Sequence, residues 1–182
     1  KMIPLKNILN ELSDNELSVL LGKIKNDEFR FLAQGDNGRV YEIDGEDKVF
    51  KITTETEEFE VASVIVGRKG EFSAFIPIYY INEKKLLYIM SKADQLSNTD
   101  KQNIEQFLQG YKTYARGQGG EISIFDYLSD DGARDLDQEV VSFLKSLQTD
   151  VGKMGISELE LNLDFKTDNV MRWQGKLVLI DW

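Results

Sequence analysis

The chain has 182 residues and a net charge of −10, from 22 basic and 32 acidic side chains, and it contains neither cysteine nor histidine. This composition excludes disulfides, thiol and Ser-His-Asp catalysis and zinc sites built on sulfur. The negative net charge opposes nucleic-acid binding, and without cysteine or histidine any metal must be held by oxygen ligands. With 41% apolar residues but no apolar run of about 20 residues, the chain should fold as one compact domain or two small lobes without a membrane helix. Its first residues show no export signal, so we expect a cytoplasmic protein.

Apolar residues at helical spacing predict two short helices at the start of the chain, over Leu5 to Leu12 and over Leu17 to Ile24. Ser13 to Glu16 has the S-x-x-E form of a capping box and marks the start of the second helix. Alternating apolar residues then predict three antiparallel strands. These strands cover Phe29 to Ala33, Val40 to Ile43 and Val49 to Ile52.

A second pattern of the same form, Thr54 to Glu57, predicts the start of a helix that ends before Gly67. Phe75 to Ile81 and Leu86 to Met90 predict a hairpin, and Pro77 favours an edge strand for its first half. The expected order to this point is β-β-β-α-β-β.

Helical spacing returns in the second half of the chain and predicts two helices, around residues 104–111 and 136–147. A polar loop from Arg116 to Glu121 separates them. The end of the chain predicts a small hairpin, with strands over Val170 to Trp173 and Leu177 to Ile180 and a turn at Gln174-Gly175.

Gly35 and Gly38 lie in the turn between the first two predicted strands, and Val40 follows them. Glycines allow a backbone to approach phosphate oxygens, because no Cβ stands in the way. Taken alone, the G-x-x-G pattern is more typical of an ordinary hairpin turn.

Lys51 places a cation in the middle of the otherwise apolar third strand. If it is buried, it needs a carboxylate or a phosphate as partner. The following helix offers Glu57, Glu58 and Glu60. The alternative is that Lys51 points to solvent and that these glutamates favour the helix N-terminus through its dipole.

Asp164, Lys166 and Asn169 share one polar loop, and Asp181 follows the last apolar strand. Such groups can orient a hydroxyl, contact a phosphate and hold Mg²⁺, and phosphoryl transfer needs little more than these parts. A plain loop with Asp and Asn in turn positions is the alternative. That alternative does not account for Asp181.

Together these motifs resemble the protein-kinase-like fold, from about Phe29 to Asp181. The resemblance implies an α+β, two-lobe fold. Its N-terminal lobe is a five-stranded antiparallel sheet plus one helix, and its C-terminal lobe is reduced, mainly helical, and ends at the metal aspartate. The corresponding domains are an N-terminal helical extension over 1–27, an N-lobe over 28–92 and an abbreviated C-lobe over 93–182.

The resemblance also implies roles for residues of the first lobe. Lys51 holds the α- and β-phosphates of ATP and pairs with Glu58, with Glu60 as the second choice. The other residues implied to bind the nucleotide are Gly35 and Gly38 over the phosphates, Val40 beside them, Met90 as gatekeeper, and the backbone from Ser91 to Ala93 against adenine.

In the second lobe, Asp164 matches the catalytic aspartate that positions the acceptor hydroxyl. Lys166 matches the loop lysine that contacts the γ-phosphate. Asn169 and Asp181 match the two Mg²⁺ ligands. Three positions depart from the family pattern: Ala33 replaces the first glycine, Asn162 the usual histidine and Trp182 the phenylalanine of D-F-G.

The spacing D-x-K-x-x-N resembles that of Ser/Thr protein kinases. The resemblance therefore implies a minimal Ser/Thr kinase that uses ATP and Mg²⁺ to phosphorylate a protein hydroxyl. Two alternatives stay open. The first is a pseudokinase-type module that binds nucleotide or a partner, and the second is a small-molecule kinase of the aminoglycoside or choline type, which the ending Ile180-Asp181-Trp182 resembles.

Overall fold

The computed structural model describes residues 12–68, 70–118, 122–129, 136–155 and 165–181. The chain forms two compact units, one of Lys1–Phe72 with Ile76–Lys92 and the other of Ser73–Phe75 with Ala93–Trp182. The separate extension over 1–27 stays a prediction, and the first predicted helix falls almost entirely outside the described residues. No helix in the described ranges is both long and apolar enough to cross a membrane.

The N-terminal unit contains a five-stranded antiparallel sheet in the order β1-β2-β3-β5-β4. Its strands are β1 (Phe29–Gly35), β2 (Gly38–Ile43), β3 (Lys48–Thr53), β4 (Ile78–Asn82) and β5 (Leu87–Ser91), and its helices are α1 (Asp14–Lys25) and α2 (Thr56–Gly67). The predicted order β-β-β-α-β-β is confirmed. β4 is an edge strand, as Pro77 just before it led us to expect.

The two faces of this sheet have different neighbours, because successive side chains of a strand point to opposite faces. Phe50 of β3 lies on one face, in a buried cluster with Leu20 of α1. Lys51 lies on the other face, in register with Val40 of β2 and Tyr88 of β5. The sheet therefore buries an apolar face under α1 and presents a lysine on the opposite face.

The helix caps of this unit match one of the two predicted capping boxes. Ser13 and Glu16 form the reciprocal hydrogen bonds of a capping box at the start of α1, as predicted. The second prediction is wrong, because α2 begins after Glu55 without a side-chain cap. Thr54 instead donates its N–H and its hydroxyl to the carbonyl oxygen of Asn37, at 2.8 and 3.2 Å. The acceptor of the Thr54 N–H is thus Asn37, in the turn between β1 and β2, and not the Glu57 side chain that a capping box would use.

The C-terminal unit is mainly helical. It contains α3 (Asn98–Gln118), α4 (Ile124–Ser129), α5 (Gln138–Met154) and the hairpin of β6 (Val170–Trp173) and β7 (Lys176–Leu179). The two long helices and the hairpin confirm the predictions. α4 was not predicted, and α3 extends two residues beyond Arg116 into the predicted loop. Ile104, Phe107, Leu144 and Leu147 are fully buried between the helices.

A buried carboxylate explains why Ser73–Phe75 belongs to this second unit. Asp150 of α5 is 1% exposed and accepts the backbone N–H groups of Ser73 and Ala74 at 2.6 and 2.8 Å. Phe75 forms a parallel bridge with Leu179 of β7. The predicted strand from Phe75 therefore starts later, at Ile78, because its first residues pair elsewhere.

Candidate functional site

Lys51 is buried and paired. Its Nζ lies 2.7 Å from Oε1 of Glu58, and the two side chains are 5% and 1% exposed. Lys51 is therefore buried and does not point to solvent. Its partner is Glu58, whereas Glu60 is exposed. A buried ion pair of this kind is weak evidence for stability, because the loss of solvation offsets much of the attraction. Stability alone therefore does not account for this pair.

Two hydroxyl groups complete the surroundings of Glu58. Thr53 donates to Oε2 of Glu58 at 2.7 Å, and Tyr88 donates to Oε1. Both residues are buried, Thr53 at 2% and Tyr88 at 0% exposure. Neither hydroxyl was predicted to contact Glu58, because the register that places Tyr88 opposite Lys51 is a property of the folded sheet. The sequence signal that could have identified Thr53 is its position as a polar residue at the end of an apolar strand.

The two glycines of the turn between β1 and β2 have different surroundings. A Cβ at Gly38 would lie 2.5 Å from the carbonyl oxygen of Ile52 and 3.2 Å from Cε of Lys51. At Gly35, by contrast, no heavy atom of the described chain beyond its sequence neighbours lies within 4 Å of that position. Gly38 is therefore required by packing against β3, whereas Gly35 faces open space that a ligand can use.

This difference predicts unequal effects of alanine at the two positions. Gly38→Ala should lower the free energy of unfolding by about 1–3 kcal/mol, because β3 must shift to accept the methyl group. Gly35→Ala should change it by less than about 0.5 kcal/mol. Urea unfolding of the two variants measures both values. Equal losses would contradict the close approach of Gly38 to β3.

The segment predicted to meet adenine begins at Ser91, the last residue of β5, and its first two N–H groups form hydrogen bonds within the N-terminal unit. Met90 and Ser91 are buried, at 5% and 3% exposure. The N–H of Ser91 donates to the carbonyl of Pro77 at 3.0 Å, and that of Lys92 donates to Asp47 at 2.9 Å. Both N–H groups therefore already have protein acceptors. Ala93 is half-buried and belongs to the C-terminal unit.

The polar loop before β6 is fixed by an aromatic anchor. The Phe165 ring packs against Phe107 of α3 and Phe143 of α5, with centroids 5.9 and 6.1 Å apart. Lys166, next in the chain, is exposed. Asp164 and Asn162 lie outside the described residues, as does Trp182. Lys166 therefore directly follows a residue that is packed between two helices of this unit.

The backbone pairing of the hairpin brings Asn169 and Asp181 to the same end of β6 and β7. Asn169 is buried, and its carbonyl oxygen accepts the N–H of Ile180 at 2.9 Å, which continues the pairing of β6 with β7. Asp181 follows directly and is half-buried. Pairing across the hairpin thus brings an amide and a carboxylate 12 positions apart in sequence to the same end of the two strands.

These two residues suit a magnesium ion that is bound together with a substrate. Within the described ranges no three acidic side chains gather as a complete metal cluster. Mg²⁺ is commonly held by one or two protein oxygen ligands plus substrate phosphates, and it keeps several waters. Asn169 and Asp181 supply hard oxygen donors of that kind.

No family model and no curated protein matches the chain. In structure the chain is similar to the aminoglycoside phosphotransferase APH(2")-IIa, solved as a ternary complex with streptomycin and ATP. The two share 18% sequence identity, the match covers 94% of this chain and 70% of that chain, and the TM-score is 0.37. The α+β fold class predicted from the sequence, with a five-stranded antiparallel sheet and a mainly helical second unit, is confirmed.

Proposed function

We propose that this protein is an ATP- and Mg²⁺-dependent phosphotransferase. The observation that carries the proposal is the buried Lys51–Glu58 pair beside a glycine turn. An enclosed ammonium group is costly to bury unless paired. Lys51 is in register with Val40, two positions after Gly38 of the turn, which supports a contact between Lys51 and a phosphate chain at the turn. Neutralising phosphate charge with positioned cations supplies most of the catalysis in phosphoryl transfer.

In the N-terminal unit, Lys51 would hold the α- and β-phosphates, and Glu58 would hold Lys51. The open space at Gly35 supports an approach of the turn to the phosphates. Val40 shares the Lys51 face of the sheet through its register with that lysine, which supports its place beside the nucleotide. We assign adenine recognition to the backbone from Ser91 to Ala93, with buried Met90 behind it. Because the N–H groups of Ser91 and Lys92 are already bonded within the protein, the N–H of Ala93 would be the donor to adenine.

In the C-terminal unit, Asn169 and Asp181 would hold Mg²⁺, which when bound neutralises phosphate charge and orients the phosphate oxygens. Asp164 would orient the acceptor hydroxyl. Lys166, which is exposed, would contact the γ-phosphate. The exposure of Lys166 beside the anchored Phe165 supports a role that faces solvent and ligand rather than the core.

For the acceptor we propose a Ser or Thr hydroxyl of a protein, on the strength of the D-x-K-x-x-N spacing. A small cationic molecule is the second candidate, favoured by the ending Ile180-Asp181-Trp182 and by the net charge of −10. Incubation with Mg·ATP separates them. Phosphosite mapping by mass spectrometry on generic protein substrates tests the first, and ATP consumption with aminoglycosides or choline-like amines tests the second.

Replacing Asp164 with alanine should abolish phosphoryl transfer while leaving Mg·ATP binding intact, because this aspartate orients the acceptor and not the nucleotide. The matched control is Asp168→Ala, which removes an exposed aspartate four positions away in the same loop. Transfer is measured with radiolabelled ATP, and binding by thermal shift. A ligand at a hundred times its dissociation constant adds about 2.7 kcal/mol of stability.

The outcomes separate the candidate functions. Transfer that persists in Asp164→Ala contradicts the assigned role. A thermal shift without transfer to protein, small molecule or water supports a nucleotide-binding module of the pseudokinase type. No thermal shift with Mg·ATP contradicts the proposed function altogether.

A further inference from the structure

Asp150 of α5 is a buried carboxylate that the proposed function does not use. Its Oδ2 accepts the backbone N–H groups of Ser73 and Ala74 at 2.6 and 2.8 Å, and the Ser73 hydroxyl lies 3.4 Å from the same atom. Its Oδ1 accepts the ammonium group of Lys153 at 3.0 Å. Burying a carboxylate is costly unless it is paired and hydrogen-bonded, and here both oxygens have donors. One of these oxygens ties the segment Ser73–Phe75 to α5.

The segment Ser73–Phe75 is in turn the neighbour of β7. The carbonyl oxygen of Ala74 accepts the N–H of Leu179 at 2.7 Å, and Phe75 forms a parallel bridge with Leu179. All three residues are buried. A buried backbone N–H needs an acceptor, and Ala74 supplies the acceptor for Leu179. The position of Leu179 therefore depends on where Ser73–Phe75 is held.

Leu179 is the last residue of β7, and Asp181 follows two positions later. Between them, Ile180 donates its N–H to the carbonyl oxygen of Asn169 at 2.9 Å. The backbone that leads to Asp181 is thus held from two sides, by Asn169 through the hairpin and by Ala74 through the segment bound to Asp150. Groups that orient a metal ligand affect the metal strongly, since changing them typically lowers metal affinity by about 10- to 100-fold.

We propose that Asp150 is a positioning residue for the metal ligand Asp181. By accepting the N–H groups of Ser73 and Ala74, it fixes the carbonyl oxygen that receives Leu179, and so it fixes the end of β7 from which Asp181 follows. Asp150 acts through the backbone and contacts neither the nucleotide nor the ion. The inference rests on the proposed function, since it takes Asp181 to be a ligand of Mg²⁺.

The first test is hydrogen exchange of two backbone amides in Asp150→Ala, measured by NMR. The substitution removes the acceptor of Ser73 and Ala74, so the Leu179 amide should exchange faster. The internal control is the Arg172 amide, which donates to the carbonyl oxygen of Asp94 at 2.9 Å on the opposite edge of the hairpin. The acceleration at Leu179 should exceed that at Arg172 by about tenfold. A protein that is only less stable exchanges both amides through global unfolding and accelerates them equally.

The second test is metal binding, with Mn²⁺ as a paramagnetic probe in place of Mg²⁺. Water proton relaxation measures the binding of Mn·ATP, and ligand-observed NMR measures the binding of adenosine, which carries no metal. Asp150→Ala should bind Mn·ATP about tenfold more weakly and adenosine as the wild type does. In an Asp181→Ala background the same change should alter Mn·ATP affinity by less than about twofold, because the ligand that Asp150 positions is already gone.

Asp137→Ala is the matched control, because Asp137 is an aspartate at the opposite end of α5 that also accepts two backbone N–H groups. Their donors are Glu139 at 2.9 Å and Val140 at 3.2 Å. Asp137→Ala should leave Mn·ATP affinity unchanged, and it should not accelerate Leu179 more than Arg172.

Asp150→Asn gives a graded version of both tests. It keeps an oxygen that can accept from Ser73 and Ala74 but removes the charge, and hydrogen bonds to neutral groups are weaker than those to charged groups. Both effects should therefore shrink to about threefold. If Asp150→Ala does not fold, Asp150→Asn carries both tests.

Each result has a defined meaning. Selective acceleration at Leu179, together with a loss of Mn·ATP affinity that requires Asp181, supports the positioning role. Equal acceleration at Leu179 and Arg172, wild-type Mn·ATP affinity, an equal loss of adenosine binding, or a loss that persists in the Asp181→Ala background overturns it. Wild-type protein that binds adenosine but not Mn·ATP, or neither, overturns the proposed function and this inference with it.

Discussion

Replacing Lys51 with methionine is expected to lower the rate of phosphoryl transfer by about 10²- to 10³-fold, the usual effect of removing one positioned group from a charged transition state. Methionine fills a similar volume but offers no charge to the phosphates. The lysine also neutralises buried Glu58, so the same change removes a stabilising partner from that carboxylate. Radiolabelled transfer assays measure the rate, and urea unfolding measures the stability.

A double variant separates these two consequences. In Lys51→Met with Glu58→Gln, the uncompensated charge is gone, while the glutamine carbonyl can still accept from Thr53 or Tyr88. Its free energy of unfolding should recover towards that of the wild type, and its transfer rate should not. A stable double variant with wild-type transfer would show that Lys51 does not serve the phosphates.

Lys48→Met is the matched control for the lysine itself. Lys48 belongs to the same strand but points to the opposite face of the sheet, being three positions from Lys51. Its ammonium lies 5.1 Å from the centre of the Tyr79 ring and pairs with Asp47. We expect transfer by this variant to stay within a few fold of the wild type.

Local periodicity was sufficient to predict most elements of this fold. The alternation from Phe29 to Ile52 gave the first three strands, and the spacing around Leu144 gave α5, since each pattern matches one repeat length of regular structure. The Ser13 box was readable because both of its partners lie within three residues of each other. Such features depend on neighbours in sequence and need no knowledge of the tertiary structure.

The features that were misread depend on contacts across the fold. Thr54 has the form of a cap, yet its hydrogen bonds go to Asn37 in a turn 17 positions earlier. Phe31 belongs to the apolar alternation that predicted β1, but its side chain is 58% exposed and lies at the irregular register between Phe31 and Ala33. Periodicity gives no information about such partners or about a strand irregularity.

The candidate site also contains both kinds of feature, those readable from the sequence and those that depend on contacts across the fold. The residue types of Lys51 and Glu58 were visible in the sequence, but burial, which decides between a solvent-facing lysine and an ion pair, required the folded sheet. Thr53 and Tyr88, which donate to Glu58, were not predicted to do so, because no motif pairs them with that glutamate. A motif identifies the charged groups, whereas the neutral hydroxyls around them become visible only through register.

A second large effect is expected on stability when Arg172 of β6 is replaced by methionine. Its guanidinium forms paired hydrogen bonds with Asp100, at 2.7 and 2.8 Å, and with Glu139, at 2.8 and 2.9 Å. Asp100 lies 72 positions away in sequence, and its side chain is 11% exposed. The substitution leaves that carboxylate without its cation, and we expect the free energy of unfolding to fall by about 2–4 kcal/mol.

Arg30→Met is the control for this prediction, because Arg30 makes an ion pair of similar geometry with Glu42 at the surface. The distance is 2.6 Å, but the Arg30 side chain is 71% exposed. Exposed pairs contribute at most about 1 kcal/mol. Urea unfolding of both variants at pH 7 gives the comparison. A loss in Arg172→Met no larger than that in Arg30→Met would contradict the structural role assigned to the partly buried pair of Arg172 and Asp100.

The pH dependence of stability tests the charge on Asp100 directly. Hydrogen bonds from Arg172, and further bonds from Ser97, hold the pKa of Asp100 well below its usual range. A carboxylate whose pKa is lowered by folding stabilises the protein above its unfolded pKa of about 3.9, and this contribution is lost as the pH falls below that value. Asp100→Asn keeps an oxygen that can accept the Ser97 N–H but removes the charge. The stability difference between wild type and Asp100→Asn should therefore be complete at pH 7 and shrink below about pH 4, whereas a difference independent of pH would show that shape and not charge holds β6 to α3.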